Sequence, residues 1–450
     1  MTTAAPTALQ SDTPSPVATG LGRDFWLFRL GQAISVLGDS CGAIALSWWI
    51  LDATGSAVVM SSVLAPAMVV RIVLTPLFGP LGDRVTRKKL IIVSDLWRGA
   101  LTMVLAVLAY EGRFALPAVI GLYVLTAIGS ALYGPPSTSI VPQLVSAEKL
   151  NRAFQQSQAI ASAGAIVGGL TGGALVGFLG VPGAFAIDAI SFFVGAATAQ
   201  LIRADTRPGG TSAAFGADGS GGSALTRWTV DLKRGFRFLY AVRVLFVMAL
   251  VAMLVNFLLA PMFVVLPVLV KLGRGLPPWY LGALESGMGA GAILGALGAG
   301  WLCRKILPDR VVVLGIALTG IAVAALPWMP GVALPILATV TVGMSVSLAN
   351  IPIMSQLAVA TPDSYRSRVS SIMLFLCQGV MPLGVALAGV LLTAFGFAGT
   401  MTGMGVMTLL LAPTLFAIPH LSGFFRRAPQ EAAGYLEALY PRAFAAPEEA

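Results

Sequence analysis

The chain has 450 residues, is 57% hydrophobic with a mean hydropathy of +0.87, and only 10% of it is charged. That composition excludes a soluble globular domain and marks a polytopic membrane protein. The net charge of +9 does not indicate a nucleic-acid partner. The bases fall in short gaps between apolar runs rather than along one face.

Residues 1–22 are polar and rich in Thr, Ala, Pro and Ser. They lack the basic start and apolar centre of a cleaved signal, so a disordered cytoplasmic tail is expected. Apolar runs follow at about 25–50, 57–79, 89–110, 115–136, 156–178 and 182–202. After a break come about 244–270, 279–302, 311–329, 332–357, 369–394 and 398–419. A span needs roughly 20 apolar residues, so these are twelve candidate spans. With both termini inside, 23 of the 28 Lys and Arg lie in inner tails and loops. Only Arg113, Lys271 and Arg274 fall outside, while Arg71 and Arg98 sit within spans. The asymmetry predicts cytoplasmic termini.

The break at 203–240 separates an N-terminal half, 23–202, from a C-terminal half, 241–419. Its Gly209–Gly222 stretch reads as a flexible linker. Leu225, Trp228, Leu232, Phe236 and Leu239 then repeat at helical spacing among bases, as in a helix lying on the inner membrane surface. Residues 420–450 read as a cytoplasmic tail. The halves echo each other weakly. Gly298-Ala-Gly-Trp-Leu-Cys-Arg-Lys305 follows span eight much as a richer loop follows span two. The expected fold is an all-α integral membrane protein, with twelve transmembrane helices in two six-helix halves related by pseudo-twofold symmetry.

That richer loop is Gly79-Pro-Leu-Gly-Asp-Arg-Val-Thr-Arg-Lys-Lys89, with one acid and four bases between Asp83 and Lys89. Gly79 allows close backbone approach and Pro80 helps end the helix. The bases suit the cytoplasmic face. Asp83, an acid beside them, calls for a partner such as the positive end of a helix or a nearby Arg. The stretch resembles the loop between helices two and three of the major facilitator superfamily, G-x-L-x-D-R-x-G-R-K. Gly79, Leu81, Asp83, Arg84, Arg87 and Lys88 match, and Thr86 replaces a Gly. The resemblance implies a conformational latch between two six-helix halves that give alternating access to a central cavity; a plain positive-inside loop is the simpler alternative.

Span five carries Gly164-Ala-Ile-Val-Gly-Gly-Leu-Thr-Gly-Gly173. Small residues let membrane helices approach closely, whatever the function. The run also resembles G-x-x-x-G-P-x-x-G-G of the superfamily's proton antiporters. Gly164, Gly168, Gly172 and Gly173 match, while Gly169 replaces the Pro. Phe25 to Asp39, Thr54-Gly-Ser56 and Phe185-Ala-Ile-Asp-Ala-Ile-Ser-Phe192 are similar to the branch that exports siderophores and macrolides.

A charge at the membrane centre costs roughly 2.5–3.5 kcal/mol on insertion scales and so needs a partner or a task. Asp39, Arg71, Asp95, Arg98, Asp188 and Glu285 fall within spans. Asp95 and Arg98, three residues apart, share a helical face and read as a structural ion pair. Asp39 and Arg71 lie at similar depth on neighbouring spans. Asp39, Glu285 and Asp188 are the candidates for proton coupling. Trp48, Phe257 and Met373 are candidates for contacting a lipophilic substrate, with Asn256 and Asn350 adding polar contacts.

Other chemistry finds little support. His420 is the one His, and Cys41, Cys303 and Cys377 are scattered, so neither a metal site nor a disulfide framework is expected. No phosphate-binding G-x-x-x-x-G-K-[ST] stretch occurs, and no cofactor is expected. The predicted partners are a lipophilic small molecule, protons and the bilayer, with no nucleic acid, for a monomer. Arg outnumbers Lys 22 to 6, which fits a GC-rich bacterial genome and an inner-membrane location. An importer of a small metabolite and a lysophospholipid flippase of the same fold are the alternatives.

Overall fold

A computed structural model describes residues 21–82, 85–206, 236–360, 372–418, 420–426 and 435–441. Most of the linker, with Leu225, Trp228 and Leu232, lies outside the described residues, as do Asp83 and Arg84 of the loop. Every regular element among the described residues is helical. Among the described residues, ten helices are long and apolar enough to cross a membrane. Two of them, Leu150–Gln200 and Met381–Thr414, each contain one break, at Gly180 (φ 71°) and Gly396 (φ 66°). A positive φ suits glycine, which has no Cβ to clash. Each break divides two spans, so the spans number twelve.

We label them α1 (Arg23–Thr54), α2 (Ala57–Gly82), α3 (Arg87–Tyr110), α4 (Leu116–Ser139), α5 (150–179) and α6 (181–200). The second half holds α7 (Arg243–Gly273), α8 (Pro278–Lys305), α9 (Pro308–Ala325), α10 (Ala333–Ala360), α11 (372–395) and α12 (397–417). A short helix, α13 (Leu421–Arg426), follows. The expected spans hold to within a few residues, the largest shift being the earlier start of α5. The two broken helices occupy equivalent places in the two halves. The repeat is legible as Leu179-Gly180-Val-Pro-Gly183 and Phe395-Gly396-Phe-Ala-Gly399, a stronger echo than the loop after span eight.

Lys and Arg mark one end of the bundle, which we call the basic end; the opposite end is the far end. At the far end one apolar cluster draws on both halves. It joins Ile44, Leu46 and Ile50 of α1 and Phe185 of α6 to Val264 and Leu266 of α7, Leu281 of α8 and Val385 of α11. At the basic end the apolar residues divide. Phe25, Phe28 and Ile91 belong to one cluster, and Leu239, Leu245, Ile372 and Phe424 to another. The halves therefore meet at the far end and keep separate cores at the basic end. Phe236 is exposed and Leu239 fully buried, so the described tip of the expected surface helix, 236–241, feeds into the second core.

Glycine decides the closest approaches within each half. A methyl group at Gly291 of α8 would fall 1.9 Å from the Val340 carbonyl oxygen of α10, and one at Gly343 would fall 1.9 Å from that of Met288. Lipid tails are as apolar as the side chains, so contact packing rather than hydrophobicity holds such helices together. Gly291→Val should lower stability by about 3 kcal/mol through overpacking against backbone, read as a lower melting temperature in detergent. Gly298→Ala, where nothing lies within 4 Å, should leave the melting temperature unchanged.

Candidate functional site

The N-terminal half holds the polar centre. Its acids and bases come from four helices: Asp39 on α1, Arg71 on α2, Asp95 and Arg98 on α3, and Asp188 on α6. Arg98 donates a hydrogen bond to Asp95, and both side chains are buried, as the spacing predicts. The Arg98 guanidinium also lies over the rings of Tyr133, 4.5 Å from its centroid, and Phe192, 4.2 Å away. Its Nε has no hydrogen-bond partner.

Asp188 owes its position to glycines. Methyl groups at Gly38 and Gly42 of α1 would fall 2.9 Å and 2.2 Å from its carboxylate oxygens. The side chain is buried in that notch, and Oδ1 has no hydrogen-bond partner. Asp39, one residue on from Gly38, is exposed instead. It lies within electrostatic reach of Arg98 and Arg71, and Asp188 within reach of Asp39 and Arg98. Arg71 was expected to be a buried partner, but it is exposed. The lipid-facing stripe of α2 runs through Val69, Val73 and Leu77, and Arg71 points away from it. Three acids against two bases leave the cluster one negative charge in excess when all are ionised, so one proton neutralises it.

The C-terminal half holds an apolar pocket of about 80 Å³. Met248, Val255, Ile316 and Ile353 form walls, and Asn256, Asn350 and Thr319 supply polar atoms. The Asn256 amide donates to the Ala252 carbonyl at 2.9 Å, which leaves its oxygen free to accept. Two expected substrate contacts are displaced. Met373 is buried in the core of this half. Phe257 turns its backbone to α11, where a methyl at Gly384 would fall 2.5 Å from the Phe257 oxygen. Neither lines the pocket.

Trp48 is also taken elsewhere. Lys271, in a π-helical turn ending α7, donates to Asp52 Oδ1 at 2.6 Å and to the Trp48 carbonyl at 3.2 Å. Its ammonium stands 4.7 Å from the Trp48 ring centroid. This clamp ties the halves together at the far end, and Trp48 serves that closure rather than a cavity wall.

The glycine run of α5 serves two faces. Gly164, Gly168 and Gly172 meet Val36, Ser40 and Cys41 of α1 within the same half. Gly169 and Gly173 meet α8 across the seam: methyl groups there would fall 2.5 Å from Ser286 Oγ and 2.7 Å from the Pro278 oxygen. Ser286 Oγ donates to the Ile166 carbonyl. Gly169 thus has a reason to stand where the exporter pattern has Pro: it admits Gly282 and Ser286. A second seam joins α2 to α11, where the Gly389 amide donates to Ser61 Oγ at 3.1 Å.

Two bases of the expected latch, Arg87 and Lys88, cap helices of their own half. Arg87 donates to the Ser139 carbonyl at 2.9 Å, at the end of α4. Lys88 donates to the carbonyls of Gln200, 2.7 Å, and Ile202, 2.8 Å, at the end of α6. Cations are favoured at such termini. Asp24 accepts from the amides of Arg203 and Ala204 and secures the same corner; nothing in the local sequence marks that contact. No group of three or more His, Cys, Asp and Glu able to hold a metal occurs among the described residues.

Removing one partner of a buried ion pair strands the other charge. Arg98→Ala should therefore destabilise the protein by about 3–5 kcal/mol, measured by thermal unfolding. The double variant Asp95→Asn/Arg98→Gln should recover much of that loss.

A family model described as Major Facilitator Superfamily matches residues 29–384. The multidrug efflux pump Tap of Mycolicibacterium fortuitum is 26% identical over 392 residues, covering 85% of this chain and 93% of its own. Macrolide efflux protein A of Streptococcus pyogenes is 27% identical over 179 residues, 40% of this chain and 44% of its own. Among solved structures, a point mutant of the nucleoside transporter NupG superposes with a TM-score of 0.72 at 11% identity, over 88% of this chain and 100% of its own. A bacterial homolog of the lysosomal transporter Spinster, inward-facing, gives 0.67 at 16% identity, over 94% and 98%. At these identities the structures speak for the fold alone. With a family match across most of its length and twelve spans in two halves, this multi-pass membrane protein belongs to the Major Facilitator Superfamily and is a transporter.

Proposed function

We propose that this transporter is a secondary active exporter of a lipophilic small molecule, driven by proton antiport in a bacterial inner membrane. The observation that carries the reading is the division of labour between the halves. Titratable groups gather in the N-terminal half, and a small apolar pocket with two Asn side chains sits in the C-terminal half. Efflux proteins for macrolides and multiple drugs among the relatives support export. The glycine run of α5, in its family context, supports antiport.

In this reading the basic end is cytoplasmic, which the distribution of Lys and Arg supports, and both termini lie inside. The structure is then closed toward the exterior by the Lys271 clamp and the two helix seams, and open toward the cytoplasm. A lipophile enters from the cytoplasm or inner leaflet and lodges against the apolar wall of the C-terminal half. Asp39, exposed to the opening and next to the excess negative charge, exchanges a proton. Asp95 holds Arg98, and Asp188 lies within electrostatic reach of it. Rocking of the halves then opens the far end and closes the basic end. There the loop of Asp83, Arg84, Arg87 and Lys88 acts as the latch for the closed inner state. ATP takes no part. The working unit is a monomer.

Asp39→Asn keeps the shape of the side chain and removes its proton equilibrium. In an efflux-deficient bacterial host, the wild-type chain should raise tolerance to macrolides or other lipophilic compounds. The variant, at equal membrane expression, should lose at least tenfold of that protection. In proteoliposomes the variant should also lose substrate-induced proton flux. Wild-type protection and flux from Asp39→Asn would remove Asp39 from the coupling mechanism. An absence of protection by the wild type against any compound would favour the flippase or importer reading.

A further inference from the structure

Among the described residues, Glu285 is the one Asp, Glu, Lys or Arg of the C-terminal half that lies more than two residues inside both ends of its helix. No hydrogen bond, ion pair or charged neighbour acts on it there. It is half-buried, and a solvent-reachable part remains.

Its direction follows from the contacts of α8. Gly282, Ser286 and Gly289 face α5 of the other half. Gly287, Gly291 and Gly295 face α10. Leu294, Leu297 and Trp301 are exposed and mark the lipid side. At 3.6 residues per turn, Glu285 falls on the remaining face, between α5 and α10 and opposite the lipid stripe. Leu281 and Met288, neighbours on that face, belong to the apolar cluster both halves share. The carboxyl thus enters the centre of the molecule beside the far-end seam.

The two bases at the far end of this half are occupied. Lys271 is held by Asp52 and Trp48, and Arg274 by the carbonyls of Met329 and Gly331. An isolated carboxylate among apolar side chains requires a cation or a proton. Among the described residues, four acids (Asp39, Asp95, Asp188 and Glu285) lie well inside the spans with two bases, Arg71 and Arg98; Arg29, near the basic end of α1, is the next base. An anionic substrate would meet no counter-charge in the C-terminal half and an excess of like charge in the N-terminal one.

We infer that the exported lipophile is a monocation and that Glu285 is its counter-ion in the C-terminal half. The inference deepens the export reading and rests on it. The adjoining thioether of Met288 and the leucine provide soft, adaptable contact for a bulky hydrophobic body, while Glu285 selects its sign.

The test uses two lipophilic ions of nearly equal size and opposite charge. The full chain in nanodiscs is titrated with tetraphenylphosphonium, alone and against tetraphenylborate. The wild type should bind the cation and not the anion. Glu285→Gln should weaken cation binding tenfold or more with its melting temperature unchanged, and Glu285→Asp should recover part of the loss. Equal binding of the two ions, or unaltered cation binding by Glu285→Gln, would overturn the inference. If Glu285→Gln proves unstable, competition of the two ions on the wild type still decides the sign of the ligand. The export reading fails separately: a wild-type chain that confers tolerance to neutral lipophiles yet ignores the phosphonium contradicts the cation site alone. Phosphonium binding without any protection in cells supports the site while contradicting export.

Discussion

Backbone-to-backbone contact through glycine is the constraint on which the architecture depends. Inside a bilayer the helices gain little from hiding apolar side chains from one another, so they adhere where their surfaces fit. Gly291 and Gly343 press α8 and α10 together within one half, and Gly164, Gly168 and Gly172 do the same for α5 and α1. The contact between halves uses the same device, with Gly169 and Gly173 against Gly282. What distinguishes the seam is its polar content. Ser286 reaches the Ile166 carbonyl, Ser61 receives the Gly389 amide, and Lys271 spans to Asp52. A few hydrogen bonds on a smooth glycine surface suit a joint that closes firmly and parts without unfolding either side. The cores at the basic end need no such joint, since each half packs around its own apolar residues there.

Charge is distributed on a different plan. The N-terminal half concentrates its acids and bases around Arg98, which pairs with Asp95 and lies within reach of Asp39 and Asp188. Glycines at 38 and 42 make the room that Asp188 occupies. One helix therefore supplies both the exposed carboxyl at 39 and the notch for the buried one at 188. Among the described residues the C-terminal half carries one acid well inside a span, Glu285, besides Asp309 at the start of α9, and a pocket whose polar atoms are uncharged. In the proposed cycle this separation allows proton and substrate to act on different halves while sharing one conformational change.

Much of the fold was legible in the sequence, because span length and the placement of Lys and Arg are direct consequences of bilayer physics. The Asp95–Arg98 pair was legible for a similarly local reason, a spacing of three residues on one helix. Contacts set by tertiary structure were not. Lys271 and Asp52 are 219 residues apart, and nothing near either announces the other. The glycine run of α5 was visible, but a run of small residues does not say which faces meet which helices, and its two roles emerged only with α1 and α8 in place. Trp48 and Met373 look alike in sequence as apolar side chains in spans, yet one supports a clamp and the other a core. Arg71 reads as buried by its depth, whereas its exposure depends on the halves parting. The matched breaks at Gly180 and Gly396 could have been found, since both begin a G-x-x-G step after an apolar residue.

In the proposed cycle the α5–α8 seam opens and closes during transport. Ile166 and Gly289 adjoin across it: a methyl group at 289 would fall 3.0 Å from the Ile166 side chain. Cysteines at these two positions, in a chain whose native cysteines are replaced by Ser, can be joined by oxidation within ordinary disulfide reach. Export of a compound to which the wild type gives tolerance should be abolished in the oxidised protein and restored by reduction. Undiminished export by fully cross-linked protein would contradict the account, because the far end would then stay shut throughout the cycle.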